Sequence, residues 1–359
     1  MFTGLARLGI LVVVLLLVCS TTVLPKEPEE IWRDLGKLSG EERQRFLAAH
    51  AKAEGEVSWY TSLAADQLEP LREDFENRYP GIKIKAWRSR GEAVSNRVLT
   101  EARAGKFSVD VISGSNEYLP ILMKAELVAR YSSPERELFS EPNKDQEGYW
   151  VSLGNLVTVV VYNTNLVPKS EAPKRYEDFL DPKWRGNFAI DTNPDRAVMT
   201  WLKVWGNDKT EKFLQGLISN GALIRSGHTL ITQVLCAGEF KAAIELYASR
   251  VVELIKRGCP AEMVFVDPVP AAVTPLYVVK RSPHPFGASL LVDYILSDRG
   301  QRILSEKGLL HSGRRGIKPG YPELDLDKQG VRPVLLRPDD LEQLGKKYFD
   351  LRERYLLIR

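Results

Sequence analysis

The chain is poor in the residues that usually announce a metal centre or a disulfide scaffold: of 359 residues, three are cysteine and four histidine. A chain of this length buries roughly three-quarters of the surface its unfolded form exposes, so its fold requires neither a metal nor a framework of bridges. It also lacks a Walker-type phosphate loop, Cys-x-x-Cys, His-Glu-x-x-His and Gly-x-Ser-x-Gly, and His50, His228, His284 and His311 are scattered. No catalytic apparatus is visible, so the chain reads as a non-enzyme without a cofactor. An excess of one charge is missing too: 50 Lys and Arg oppose 47 Asp and Glu, leaving +3 with no basic stripe or tail. That balance argues against a nucleic-acid surface. There is no internal repeat and no low-complexity tract, and at 44% hydrophobic and 27% charged the chain is too apolar for disorder and long enough for two domains.

Long apolar runs are also scarce. The run Leu8 to Val18 is about half of the ~20 residues a membrane-spanning helix needs. With Arg7 before it and Ser20, Thr21 and Thr22 after it, residues 1–24 read as a secretory signal peptide. A short membrane anchor is the competing reading, and Cys19 offers a lipid-attachment point. Val18, however, stands where lipoprotein signals usually carry Gly or Ala, which makes lipidation the lesser alternative. Either way the mature chain is exported to the periplasm or envelope, which permits disulfides. Cys236 and Cys259, each shortly before a candidate strand, either meet at one sheet edge or remain two buried thiols.

Residues 25–55 form a charged, helix-friendly extension, with Ser39 and Glu42 at the spacing of a capping box. Then the period changes. Val57 to Tyr60 is a strand; Leu68, Leu71, Phe75 and Tyr79 share a helical face; Pro80-Gly81 ends that helix before a strand over 82–87. A further helix runs from Gly91 to Gly105 and a strand spans 109–112, so strand and helix alternate around a mostly parallel sheet. The almost continuously apolar tract 156–162 is a fully buried strand able to carry the chain between domains. The second domain holds strands near 187–190, 240–246 and 263–266, and Pro268, Pro270 and Pro275 punctuate a return crossing. Helices over 288–296, 299–306 and 339–355 complete the chain.

Several segments, in order, carry a resemblance. They are Val57-Ser-Trp-Tyr-Thr-Ser62, Phe75-Glu-Asn-Arg-Tyr-Pro-Gly-Ile82, Glu101 with Val109-Asp-Val-Ile112, and Val159-Val-Val-Tyr-Asn163. Trp184-Arg-Gly186, Ala237-Gly-Glu239, Ser282-Pro-His-Pro285 and Leu291-Val-Asp-Tyr-Ile-Leu-Ser-Asp-Arg-Gly-Gln301 follow. Together, over residues 56–315, they resemble the periplasmic solute-binding proteins of ABC importers, in the branch of ferric-ion, thiamine and aminoalkylphosphonate binders. The resemblance implies an α/β, two-lobed type II periplasmic binding protein-like fold. Each lobe would be a mixed, mostly parallel sheet flanked by helices, joined by two crossover strands. Residues 56–156 and 269–320 would form the first lobe, 157–268 the second, and 321–359 a C-terminal helical segment. It implies a monomer that captures a small solute by hinge closure and meets a membrane permease.

In such a fold the ligand lies at the carboxyl ends of parallel strands. The candidate ligand residues are therefore Tyr60, Thr61, Arg88, Arg90, Glu92, Ser113, Thr192, Asn193, Ser226, Tyr247 and Pro270. Arg88 and Arg90, between a strand and a helix, either hold a carboxylate or phosphonate or face water and pair with Glu92. Thr192 or Asn193, before Pro194 as a first helical residue, reads as an N-cap beside amides that form an anion pocket or merely start a helix. Trp59, Trp87 and Tyr118 are candidate walls, and His228 reads as a loop residue. If iron is the ligand, Glu101 and Tyr247 are the ligands the resemblance implies. Ferric-binding relatives use adjacent tyrosines where this chain has Leu246-Tyr247, and many carry a histidine where it has Ser62, Leu63 and Ala64. An anionic organic solute is accordingly expected ahead of a ferric ion, with an exported hydrolase on a two-lobed scaffold a distant alternative.

Overall fold

A computed structural model describes residues 27–114 and 116–357; the expected signal peptide and Cys19 lie outside them. Two helices, α1 (Pro28–Leu35) and α2 (Gly40–Glu54), precede the sheet. They are part of the core: Trp32, Leu35, Leu47 and Ala51 are buried against the first lobe. Arg43 of α2, buried with them, donates to Leu35 O at 2.9 Å, to the Tyr131 hydroxyl at 2.6 Å and to Asp293 Oδ2 at 2.9 Å. The expected capping box does not form. Ser39 occupies the N-cap without a side-chain bond, and because Ser39, Glu41 and Glu42 are all exposed, water can serve the first-turn amides.

The first lobe continues through β1 (Glu56–Thr61), α3 (Ala65–Arg78), β2 (Lys83–Arg88), α4 (Gly91–Arg103), β3 (Val111–Ser113) and the short α5 (Leu119–Lys124). Leu68, Leu71 and Phe75 of α3 lie in the core, as their spacing on one helical face requires. Lys83, Lys85 and Arg88 leave β2 charged, which suits a strand at the sheet edge.

Strand β4 (Val151–Asn163) is longer than its apolar tract and is buried at every position but Leu156. Beyond it come β5 (Phe188–Asp191), α6 (Asp195–Trp205), α7 (Asn207–Ser219), β6 (Leu223–Arg225), α8 (His228–Cys236), β7 (Ala242–Tyr247), α9 (Ala248–Lys256) and β8 (Ala261–Val264). Strand β9 (Pro270–Val278), α10 (Pro285–Leu296) and α11 (Asp298–Glu306) return to the first lobe, and β10 (Val334–Leu336) and α12 (Pro338–Tyr355) end the chain.

The strand order is β2-β1-β3-β9-β4-β7-β5-β6, with β10 on β9 and β8 on β4. Pairings β1/β2, β1/β3, β5/β6 and β5/β7 are parallel, whereas β9 runs antiparallel to both β3 and β4. The crossing is made within β4 itself. Val151 to Val157 pair with β9, then Thr158 to Tyr162 pair with β7 and Val160 to Asn163 with β8. The β4/β9 ladder shifts register between Ser152 and Gly154, where a Cβ on Gly154 would lie 2.9 Å from Leu310 Cβ. Only glycine lets the segment carrying Leu310, after α11, pass that close to β4. Separate cores lie either side: Trp59, Phe75 and Leu290 in the first lobe, Trp184, Phe188 and Trp201 in the second. Cys236, at the end of α8, and Cys259, in the turn before β8, form a disulfide with Cα atoms 5.1 Å apart.

Candidate ligand cleft

The carboxyl ends of β1 and β3 face those of β5, β6 and β7 across the crossing strands. A cavity of about 60 Å³ lies at this seam. Ser62, Gly114 and Asn116 line it from the first lobe, Leu156 and Thr274 from the crossing strands, and Arg196 from the second lobe. A larger recess of about 500 Å³ lies between the crossing strands and the segment 311–335. Its buried polar groups are already paired, Asn155 Nδ2 to Asn143 Oδ1 at 2.7 Å and His311 Nε2 to Leu324 O at 2.8 Å. The small cavity is the chemically open one, because Arg196 Nε is buried there without a hydrogen-bond partner.

Arg196 stands in the first turn of α6 with 11% of its side chain exposed. Its Nη1 donates to Asp195 Oδ1 at 3.0 Å and to the Tyr247 hydroxyl at 3.4 Å, and the guanidinium lies 5.3 Å from the Tyr247 ring centre. Burial opposes its charge, but Asp195, Tyr247 and Glu245 more than compensate and hold it cationic. His228 stacks on the same Tyr247 ring, with ring centres 4.4 Å apart. Burial pushes the His228 imidazole down, against Asp191 Oδ2 at 3.5 Å, and pushes the Tyr247 phenol up.

The expected anion pocket of backbone amides is already filled by the protein's own carboxyls. Asp191 accepts from Asn193 N and Gly227 N, each at 2.8 Å. Glu245 accepts from Arg196 N at 3.0 Å and so caps α6 from β7. Glu245 is 2% exposed and has φ 63° at a register shift in the β4/β7 ladder, a rare backbone state for a residue with a Cβ. Burial drives its carboxyl well above the ordinary carboxylate range, reinforced by Asp195 and opposed by Arg196. Thr192 and Asn193 are therefore not helix caps, and Pro194 occupies the N-cap rather than the first helical position. Both instead hold the C-terminal helix: Asn193 Oδ1 accepts from the Tyr348 hydroxyl at 2.7 Å and Thr192 O from Arg352 Nε at 2.8 Å. The same C-terminal segment grips the first lobe, where Asn116 Nδ2 donates to Leu336 O at 3.2 Å.

In the first lobe, Thr61 and Ser113 are fully buried and share a hydrogen bond of 2.8 Å. Trp59 Nε1 also donates to Ser113 Oγ at 3.0 Å, so Trp59 is core and not a wall. Tyr60 faces the opposite side of β1, as strand alternation requires. Its hydroxyl donates to Glu101 at 3.0 Å, Arg97 Nε reaches the same carboxylate at 2.7 Å, and the Arg97 guanidinium lies 4.5 Å from both the Tyr60 and Trp87 rings. Burial and then Glu101 push the Tyr60 phenol up to about 12. Glu101, on α4, is thus engaged by Tyr60 and Arg97, while Tyr247 is engaged in the second lobe by His228 and Arg196. The structure does not bring that pair together. Among the described residues no group of three or more His, Cys, Asp and Glu could hold a metal ion. Arg88, Arg90 and Glu92 are exposed at the end of β2 and the start of α4, Ser226 is exposed before α8, and Pro270 is buried opposite Val334. Tyr118 lines neither cavity; burial and the charges of Glu117, Glu92 and, from the other lobe, Asp195 push its phenol up to about 12.

Sequence reasoning missed Arg196, Asp195 and Glu245, and it took His228, which opens α8, for a loop residue. An Asp-Arg pair in the first turn of a helix reads as a solvated face; only its burial distinguishes it.

Comparisons with known proteins agree with this architecture. A family described as bacterial extracellular solute-binding protein matches residues 108–325. Iron uptake protein A1 of Synechocystis is 22% identical over 268 residues, covering 66% of this chain and 70% of that protein. The Fe(3+)-binding periplasmic protein of Serratia marcescens is 22% identical over 270 residues, covering 72% and 79%. Iron-bound HitA from Pseudomonas aeruginosa superposes with a TM-score of 0.71 at 23% identity, covering 84% of this chain and 99% of that one. The periplasmic binding protein AfuA from Actinobacillus pleuropneumoniae, with fructose-6-phosphate bound, gives 0.69 at 20% identity, covering 84% and 99%. These are type II periplasmic binding folds.

Proposed function

Because the chain belongs to the bacterial extracellular solute-binding protein family, we propose that it captures a small solute with an oxyanionic head between its lobes and presents the closed form to the permease of an ABC-type importer. The carrying observation is Arg196, charged, nearly buried and with Nε unpartnered at the seam. A small oxyanion fits the roughly 60 Å³ beside it, with Ser62 and Asn116 as further polar neighbours. Glu92, Glu117 and Asp195 all act on the nearby Tyr118 phenol, a negative field that disfavours a second anion, so the rest of the solute is hydroxylated or amino-bearing. No bond is made or broken. Closure is favoured only as far as the ligand prefers the closed form.

Ferric iron, expected from the sequence only as the lesser alternative, is the reading that the names of the Synechocystis, Serratia and Pseudomonas relatives favour, and the Tyr247 phenol in the cleft supports it. Against it stands a guanidinium lying on that phenol. The discriminating experiment is calorimetric titration of the mature, exported chain with inorganic phosphate, aminoethylphosphonate, citrate and ferric citrate. Saturable binding of an iron-free oxyanion, weakened about 10- to 100-fold by Arg196→Met, is expected from the loss of a charged hydrogen bond. Binding confined to ferric salts, with visible absorbance lost in Tyr247→Phe, would replace this reading with iron.

A further inference from the structure

We infer that Asp66 and Arg250 form an ionic clasp across the mouth of the cleft, which sets how long the two lobes stay together. Asp66 lies in the first turn of α3, three residues beyond the cavity-lining Leu63, and Arg250 in the first turn of α9, three residues beyond Tyr247. The guanidinium forks onto the carboxylate, Nη1 to Oδ2 at 2.8 Å and Nη2 to Oδ1 at 3.2 Å, between segments 184 residues apart on separate lobes. Glu253 accepts from the same Nη1 at 2.7 Å and braces the side chain toward the first lobe.

The position of Arg250 argues that this pairing is more than an incidental surface contact. A cation in the first turn opposes its own helix dipole, which offsets the small gain α9 draws from the Arg250–Glu253 pair three residues apart. Asp66 suits the start of α3, and its carboxyl is held below the ordinary range first by the Arg250 hydrogen bond. Each side chain is anchored within its own lobe, so the pair adds little to the folding of either. Its energy enters the equilibrium between open and closed forms. An exposed, bidentate pair shifts such an equilibrium by about three- to fivefold, and salt screens it.

The test uses the mature chain without cargo, labelled at exposed positions by Glu73→Cys and Arg257→Cys, with the distance distribution read by pulsed electron spin resonance at low and high NaCl. In the wild-type background the closed-to-open ratio is expected to fall about three- to fivefold between 0.05 M and 0.5 M NaCl. Asp66→Asn and Arg250→Gln should each start at the more open ratio and lose the salt response, and Asp66→Arg combined with Arg250→Asp should restore both. Single variants with the wild-type distribution and salt response would overturn the clasp, as would a wild-type chain wholly open at 0.05 M. The measurement needs no solute, so salt-dependent opening in a chain that binds no oxyanion would sink the proposed cargo and leave the clasp standing.

Discussion

Removing the Cys236–Cys259 bridge tests how the second lobe is held. The two positions are 23 residues apart, and the closed loop contains all of β7 and α9. Cross-linking a loop of that length removes denatured-chain entropy worth about 3.4 kcal/mol at 25 °C. Because the loop lies wholly within the second lobe, the loss should be local. In Cys236→Ser/Cys259→Ser, urea unfolding followed by circular dichroism should show the second-lobe transition weakened by about 2–4 kcal/mol. Amide exchange should quicken in α8, β7 and α9 and stay unchanged in α2 and α10. Affinity for any oxyanion should fall as well, since Glu245 and Tyr247 ride on β7. A loss under about 1 kcal/mol, or quickened exchange spread equally over both lobes, would refute the assignment of the bridge as the local brace.

Two further perturbations address the first lobe. Arg43→Met strands the buried Asp293 carboxylate, 1% exposed, and should cost about 3–5 kcal/mol in chemical denaturation. Adding Asp293→Leu in that background should recover most of the loss; a single variant within about 1 kcal/mol of wild type would contradict the buried ion pair. His284 Nδ1 lies 2.9 Å from Asp110 Oδ2, and that hydrogen bond, opposed by burial, holds the imidazole above its ordinary value. A raised native value means the stabilisation is full below about pH 6.5 and is lost as pH climbs through the native value. Thermal midpoints of His284→Asn should therefore decline less than those of wild type as pH rises from 6.5 upward; parallel profiles would exclude the linkage.

The architecture was legible wherever one periodicity dominated. Leu68, Leu71 and Phe75 mark the buried face of α3, and the run from Leu156 to Tyr162 marks a strand covered on both sides. What escaped was anything decided by distant partners. The start of β4 at Val151 depends on pairing with β9 around Gly154, and the burial of α2 depends on Arg43 finding Asp293 across 250 residues. The site was legible as a set of strand ends but not as a set of bonds. Tyr247, Glu92 and the loop after β5 were placed on the cleft side by topology alone. Thr192 and Asn193 looked like caps because local chemistry favours them there, yet Asp191 and Glu245 reach those amides from neighbouring strands. Glu245 offers no local clue, since its positive φ arises from a register shift between β4 and β7. Tyr60 and Trp59 were assigned to the cleft by proximity in sequence, whereas alternation along β1 sends them elsewhere.

Strand β4 exchanges one set of ladder partners for another at the junction of Val157 and Thr158. Torsion can concentrate at that junction without unzipping either sheet, so each lobe should swing as a stiff plate on a shared leaf spring. Rigidity within the plates and compliance at the leaf then come from the same thirteen-residue segment, and a change at Val157, which does not line the Arg196 cavity, should retune the swing while leaving that pocket's lining in place.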